Sequence, residues 1–170
     1  MPVIESTVVS STLPVSDSTP QPTPQPRKNA KPATEPKPTR ILSVSTQTED
    51  HTALERILDG LPVQISAVSS CQEALEYLRN QPASVVFCDH RMKDGTWRDI
   101  LNQVLGAAEP APVVVTSRLA DEYLWAEVLN LGGWDVLAKP FHEQEVLHVL
   151  DSAWLHRANP VTRTRVAGAA

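Results

Sequence analysis

The chain has 170 residues, enough for one domain of ordinary size and an additional segment. Its 15 Lys and Arg residues are outnumbered by 20 Asp and Glu residues, and the net charge of −5 argues against a nucleic-acid-binding protein or a membrane-surface protein. No apolar run approaches the ~20 residues that a membrane span needs. The two cysteines, Cys71 and Cys88, cannot build a disulfide framework, so we expect both to be reduced and buried.

The distribution of proline separates the chain into two parts of different composition. Nine of the 15 prolines lie in residues 1–40, whereas every aromatic residue, glycine and cysteine lies after Arg40. Residues 1–39 are rich in Ser, Thr and Pro and predict a disordered tail, and residues 157–170 predict a flexible C-terminal tail. The first residues lack a basic segment and include Glu5, unlike a secretory signal, so a cytoplasmic location is expected. The folded domain should therefore span residues 40–156.

Strands and helices alternate through that domain. The pattern predicts strands at 41–45, 63–68, 84–89, 112–117 and 134–138, and helices at 49–58, 71–80, 96–105, 120–132 and 141–156. Thr48 is expected to cap the first helix, Ser70 and Glu73 to form a capping box, and Gly132 to end the fourth helix. Five strand–helix units are too few for a closed barrel and predict an α/β fold with an open, doubly wound parallel sheet.

Polar residues stand at the carboxyl ends of four of these strands, where such a fold places its site. The first strand ends in Ser45 and Thr46, the third in Asp89, the fourth in Thr116 and Ser117, and the fifth is followed by Lys139 and Pro140. A carboxylate can accept a phosphoryl group, and hydroxyl and ammonium groups can bind phosphoryl oxygens. The Lys-Pro step predicts a tight turn that can be cis.

These motifs resemble the receiver domain of two-component response regulators, including the chemotaxis regulators. The resemblance lies in VVFCD (85–89), PVVVTS (112–117) and LGGWDVLAKPF (131–141), and in the 22 residues from Ser117 to Lys139, the interval that receivers keep. The segment DHRMKDG (89–95) is similar to the loop after the acceptor, although it is shorter. The resemblance implies a flavodoxin-like (βα)5 fold with a five-stranded sheet in the order 2-1-3-4-5.

The resemblance also implies roles for single residues. Asp89 would be the phosphoacceptor, Ser117 rather than Thr116 the switch hydroxyl, and Lys139 the phosphoryl-binding cation. The backbone carbonyl of Arg91 would join Asp89 in binding a metal ion.

The implied function is signalling in a phosphorelay. The chain would not be an enzyme beyond transferring a phosphoryl group to itself from phosphohistidine, with a sensor histidine kinase or a phosphotransfer protein as the donor. It would signal to a downstream protein through the face between the fourth and fifth helices, where Trp125 is a candidate contact. No nucleic-acid or membrane partner is expected.

The chain departs from the receiver pattern at the metal site. Ser45 and Thr46 take the positions of the acidic pair that holds Mg²⁺ in receivers, which would leave Asp89 as the only carboxylate and make Mg²⁺ binding weak or absent. Glu49 and Asp50 are the nearest acids, and we expect them to be solvated at the helix N-terminus rather than turned inward.

A second departure is Val136, where receivers place a Tyr or Phe that swings inward on activation. Trp134, two residues earlier, is expected on the same strand face.

Two functions other than phosphorelay signalling remain open. One is a pseudo-receiver that binds proteins without being phosphorylated, and the other is an FMN-binding flavodoxin-like protein, although STQTED (45–50) lacks the glycine of a phosphate loop.

Overall fold

The computed structural model describes residues 38–158, and most of the two predicted tails, 1–39 and 157–170, lies outside the described residues. Five strands alternate with five helices. In chain order they are β1 (Thr39–Val44), α1 (Thr48–Ile57), β2 (Val63–Val68), α2 (Cys71–Asn80), β3 (Val85–Asp89), α3 (Trp97–Leu105), β4 (Val113–Ser117), α4 (Glu122–Asn130), β5 (Asp135–Ala138) and α5 (Glu143–Ala158). Among residues 38–158, no helix is both long enough and apolar enough to cross a membrane.

The five strands form one parallel sheet in the order β2-β1-β3-β4-β5, which confirms the predicted α/β fold and strand order. All residues of the central strands β3 and β4 are buried, as continuous apolar runs in a sheet covered on both faces require. Apolar residues of α2, α3 and α4 pack on one face of the sheet, and those of α1 and α5 pack on the other. The β1–β3–β4 register brings the ends of these strands together at one edge.

The helix ends follow the predicted capping residues with small differences. Gln47, rather than Thr48, is the N-cap of α1, and its side chain makes no capping hydrogen bond. The Ser70 hydroxyl accepts a hydrogen bond from the Glu73 N–H at 3.1 Å, but the Glu73 carboxylate accepts from Ser69 rather than from Ser70. Gly132 follows α4 with φ 97°, a conformation that suits glycine and ends the helix as predicted.

Trp134 does not share a face with Val136, so that prediction was wrong. Trp134 packs on the α1 and α5 side, where its indole N–H donates to the Ser152 hydroxyl at 3.2 Å and its ring centroid lies 4.7 Å from that of His156. Val136 packs on the opposite side. The strand begins only at Asp135, so the two-residue alternation does not extend back to Trp134.

The loop after β3 is tied to the first turn of α2 by Asp94. Its two carboxylate oxygens accept hydrogen bonds from the backbone N–H groups of Cys71 and Gln72, each at 2.9 Å. The pKa of Asp94 is lowered, first by the Gln72 N–H and then by the Cys71 N–H, because both bind the ionised carboxylate. Gly95 lies so close to α2 that an added Cβ would stand 2.7 Å from the Cys71 Sγ atom. The loop that follows Asp89 is therefore fixed.

We predict that Asp94→Asn lowers the free energy of unfolding at pH 7, because one of the two N–H groups loses a charged acceptor. A lowered carboxyl pKa contributes stability that is present above the unfolded value and is lost as the pH falls through the folded pKa. The difference in the free energy of unfolding between wild type and Asp94→Asn should therefore become smaller below about pH 4. Urea unfolding at several pH values in the acid range measures this difference. Asp59→Asn, at an exposed residue, is the control, and equal stability of Asp94→Asn and wild type at pH 7 would contradict the prediction.

We also predict that Gly133→Ala destabilises the turn between α4 and β5. An added Cβ would lie 2.4 Å from the Val128 Cγ1 atom and 3.0 Å from the Val128 carbonyl oxygen, so backbone must move, at a cost of about 1–3 kcal/mol. Gly106→Ala is the matched control, since its Cβ would meet the nearest atoms at 3.6 Å, and its stability should stay within about 0.5 kcal/mol of wild type. If urea unfolding gives Gly133→Ala and Gly106→Ala the same stability, Gly133 does not lie as close to Val128 as the structure shows.

Candidate functional site

Asp89 lies at the centre of the carboxyl edge of the sheet. It is the last residue of β3 and only 6% exposed. Its Oδ1 atom accepts a hydrogen bond from the Thr116 hydroxyl at 2.7 Å, and its Oδ2 atom accepts one from the Ser45 hydroxyl at 2.8 Å. The Lys139 ammonium forms an ion pair with Oδ1. A buried carboxylate is costly unless it is paired and hydrogen-bonded, and here both conditions are met.

Lys139 reaches this edge from the end of β5. Its backbone N–H donates to the Ser117 carbonyl at 3.0 Å, and its peptide bond to Pro140 is cis. The Lys139 Nζ atom pairs with Asp89 and lies 2.5 Å from the Asp50 Oδ2 atom, and the side chain is 9% exposed. One ammonium group therefore lies between two carboxylates that come from different elements.

The position of Asp50 corrects the expectation that the acids of the first helical turn are solvated. Asp50 is half-buried, and its Oδ2 atom also accepts a hydrogen bond from the Ser45 hydroxyl at 2.6 Å. The single Ser45 hydroxyl proton thus lies between the carboxylates of Asp50 and Asp89. The site holds two carboxylates rather than Asp89 alone. Glu49 is exposed, as expected, and forms no ion pair within residues 38–158.

His51 fixes α1 on the end of β1. Its Nε2 atom lies 3.0 Å from the Ser45 carbonyl oxygen, which can only accept, so Nε2 carries the proton. Its Nδ1 atom, 2.8 Å from the Ser43 hydroxyl, then accepts from that hydroxyl in the neutral ring. These two bonds hold Asp50, the preceding residue, at the edge of the sheet.

The two hydroxyl residues at the end of β4, Thr116 and Ser117, have different hydrogen-bond partners. Ser117, the predicted switch hydroxyl, lines an open cleft of about 380 Å³ together with Asp89 and Lys139, but its oxygen accepts from the Leu119 N–H at 3.1 Å and forms no hydrogen bond with Asp89. Thr116 makes the contact instead, because it lies opposite Asp89 in the register of β3 and β4. The structure thus brings Asp89, Ser117 and Lys139 into one cleft, which Thr116 also lines. Ser45 and Asp50 join this group through their contacts with Asp89 and Lys139, and the predicted set of phosphoryl-contacting residues omitted Thr116, Ser45 and Asp50.

Two titratable neighbours of Asp89 are shifted toward their neutral forms. Burial, and then the charge of Asp89, raises the pKa of the Cys88 thiol well above its usual value. Burial, and then the charge of Arg91, lowers the pKa of His90. Neither group adds a charge to the cleft at neutral pH.

The residues of the cleft do not fit a Mg²⁺ ion as they are arranged. Mg²⁺ requires octahedral oxygen ligands and is held in proteins mainly by carboxylates. Ser45 and Thr46 stand at the predicted acidic positions, and both nearby carboxylates are engaged by the Lys139 ammonium. Within residues 38–158, no group of three or more His, Cys, Asp or Glu side chains is arranged to hold a metal. Arg91 lines the cleft, and metal binding by its carbonyl stays a prediction.

The predicted partner face carries an exposed aromatic residue. Trp125 on α4 is 49% exposed, and its indole N–H donates to the Asp135 carboxylate at 3.1 Å. Val136 lies beside it in a shallow groove. Leu119 and Tyr123 are 80% and 81% exposed and line a separate cavity with Arg91 and Thr96, beside the loop after β3.

The chain is similar in sequence to a known protein family. Residues 41–151 match the response regulator receiver domain. The transcriptional regulatory protein ZraR of Escherichia coli K12 is 27% identical over 116 residues, which cover 68% of this chain and 26% of ZraR. The hydrogenase transcriptional regulatory protein HoxA of Cupriavidus necator is 30% identical over 118 residues, covering 69% of this chain and 24% of HoxA. The chain thus spans about a quarter of the length of these two relatives.

Solved structures share the fold. The signal receiver domain of an HD domain-containing protein from Pseudomonas fluorescens has a TM-score of 0.63 and 22% identity, over 70% of this chain and 96% of that one. The receiver domain of the sensor histidine kinase PA1611 from Pseudomonas aeruginosa, with magnesium in its active-site cleft, has a TM-score of 0.60 and 20% identity, over 68% and 96%. With the match over residues 41–151, the chain belongs to the response regulator receiver domains of two-component signalling systems.

Proposed function

We propose that Asp89 accepts a phosphoryl group in a two-component phosphorelay and that the chain passes the signal on through protein contacts. The observation that carries this proposal is the position of Asp89, which ends the central strand β3 in an open cleft beside the Lys139 ammonium and the Ser117 hydroxyl. A carboxylate beside an ammonium and hydroxyl donors is suited to acyl phosphate formation.

In the proposed step, an oxygen of the Asp89 carboxylate attacks the phosphorus of a phosphohistidine. The O–P bond forms as the P–N bond breaks, and the released imidazole nitrogen takes up a proton from solvent. Lys139 stabilises the charge on the phosphoryl oxygens, because an ammonium held in place needs no reorganisation during the transfer. Ser117 reaches the same oxygens after its hydroxyl turns from the Leu119 N–H toward the cleft.

The proposed partners follow from this chemistry. A sensor histidine kinase or a phosphotransfer protein in the cytoplasm donates the phosphoryl group. A downstream protein binds the face between α4 and α5, where the half-exposed Trp125 is the candidate contact. The chain catalyses no reaction other than its own phosphorylation.

We predict that acetyl phosphate or phosphoramidate adds one phosphoryl group to the wild-type chain, detected by intact mass. Asp89→Asn should give no adduct, because an amide is not a nucleophile for this transfer. Asp59→Asn removes an exposed carboxylate and should be phosphorylated to the wild-type extent.

An adduct of equal extent in Asp89→Asn would exclude Asp89 as the acceptor. If neither small donor nor any phosphohistidine protein modifies the wild type, the chain acts without phosphorylation, as a receiver-like module that binds proteins constitutively.

We predict different effects for the two hydroxyl residues of β4. Thr116→Val removes a donor to a buried carboxylate and should lower the free energy of unfolding by about 1.5–3 kcal/mol. Ser117→Ala loses one loop hydrogen bond, so it should cost less than about 1.5 kcal/mol but slow phosphorylation by roughly tenfold. Urea unfolding and the time course of the mass adduct measure the two effects. A phosphorylation rate unchanged in Ser117→Ala would remove Ser117 from the proposed step.

A further inference from the structure

A side chain offsets part of the negative charge beside Asp89. We propose that the Lys139 ammonium, held by Asp50, occupies the place that a divalent cation would take beside Asp89. Lys139 thereby excludes Mg²⁺ from the cleft, and the phosphorylation of Asp89 needs no divalent metal. The exclusion of Mg²⁺ stands on the geometry alone, whereas the metal-independent phosphorylation rests on the proposed function.

The first argument is the position of the ammonium group. The Lys139 Nζ atom pairs with the Oδ1 atom of Asp89 and lies 2.5 Å from the Oδ2 atom of Asp50, so one oxygen of each carboxylate is directed at the same positive charge. The backbone of Lys139 is fixed by its hydrogen bond to Ser117, and its side chain is only 9% exposed. The Lys139 ammonium is therefore held beside Asp89 and does not move aside freely for an incoming cation.

The second argument is the cost of replacing it. A divalent ion bound beside Asp89 would lie next to the ammonium and be repelled, or it would displace Lys139 and leave a buried ammonium without a partner. The ion would gain two carboxylate ligands at most. Ser45 and Thr46, at the positions of the acidic pair of receivers, could offer it only neutral hydroxyl oxygens. Mg²⁺ gives up its water shell reluctantly, so two carboxylates that already share the Lys139 ammonium offer it little.

Asp50 holds Lys139 in place. It is a positioning residue, since it contacts Lys139 rather than the acceptor carboxylate. Its own place is fixed by the Ser45 hydroxyl at 2.6 Å and by His51, which binds the Ser45 carbonyl. Glu49, in the same helical turn, has the same charge but is exposed. Glu49→Gln is therefore a matched control for Asp50→Asn, because both remove one negative charge from the N-terminal turn of α1.

Binding of Mn²⁺, followed by the loss of its free electron paramagnetic resonance signal, tests the exclusion without any phosphorylation. Wild type should leave the signal of millimolar Mn²⁺ unchanged. Lys139→Met frees both carboxylates and should bind Mn²⁺ roughly tenfold more tightly or better, since ligand charge governs affinity. Adding Asp50→Asn to Lys139→Met should abolish that gain, whereas adding Glu49→Gln should preserve it.

Mn²⁺ binding by wild type, or a gain in Lys139→Met that survives Asp50→Asn, would overturn the proposal. So would a folded Lys139→Met that binds no Mn²⁺, because the lysine would then not be what excludes the ion. Circular dichroism establishes that the variants are folded. If Lys139→Met is unfolded, Lys139→Gln takes its place in the same titration.

Phosphorylation of wild type by acetyl phosphate, in EDTA and in Mg²⁺, tests the second part. Equal extents of the mass adduct support metal-independent transfer. An adduct only in Mg²⁺ overturns the inference and leaves Asp89 as the acceptor. No adduct in either buffer counts against the proposed function instead, and the Mn²⁺ titration then still decides whether Lys139 excludes the metal.

Discussion

The contact of the Lys139 ammonium with the carboxylates of Asp50 and Asp89 is the interaction on which the functional edge of this domain depends. It joins α1, β3 and the end of β5, three elements far apart in the chain. Each of the three charged groups is largely withdrawn from water, so each would be costly without the other two. Loss of Lys139 would leave two carboxylates without a cation, and loss of either aspartate would leave the ammonium with a single partner, so the three side chains form one electrostatic unit.

The sheet determines which groups can join this unit. The order β2-β1-β3-β4-β5 places β1 and β4 on either side of β3, so that Ser45 and Thr116 flank Asp89 with hydroxyl donors. Neutral donors next to a buried carboxylate stabilise its ionised form without adding charge. The hydroxyl of Ser45, between two carboxylates, also links Asp50 to the acceptor, which a carboxylate at that position could not do.

Much of this was accessible from the sequence, because strand ends in a parallel sheet converge whatever their exact register. That reasoning predicted the fold and the meeting of Asp89, Ser117 and Lys139. It missed the Thr116 contact, which depends on the β3–β4 register, and it placed Asp50 in solvent. A signal for Asp50 was present: it precedes the buried Leu54 by four residues and so lies on the inward face of α1. Attraction of Asp50 to the helix dipole does not determine which side of α1 faces the sheet, because packing of Leu54 sets that orientation.

The same charge balance constrains how the domain can respond to phosphorylation. A phosphoryl group on Asp89 would bring more negative charge to the one ammonium that now serves two carboxylates, so Asp50 would have to share or lose Lys139. Val136 is too small for the aromatic swing of typical receivers. A response would therefore start from the redistribution of Lys139, which directly follows β5, the strand that begins at Asp135, the partner of Trp125. Charge rather than an aromatic rotamer would then connect the acceptor to the exposed face of α4.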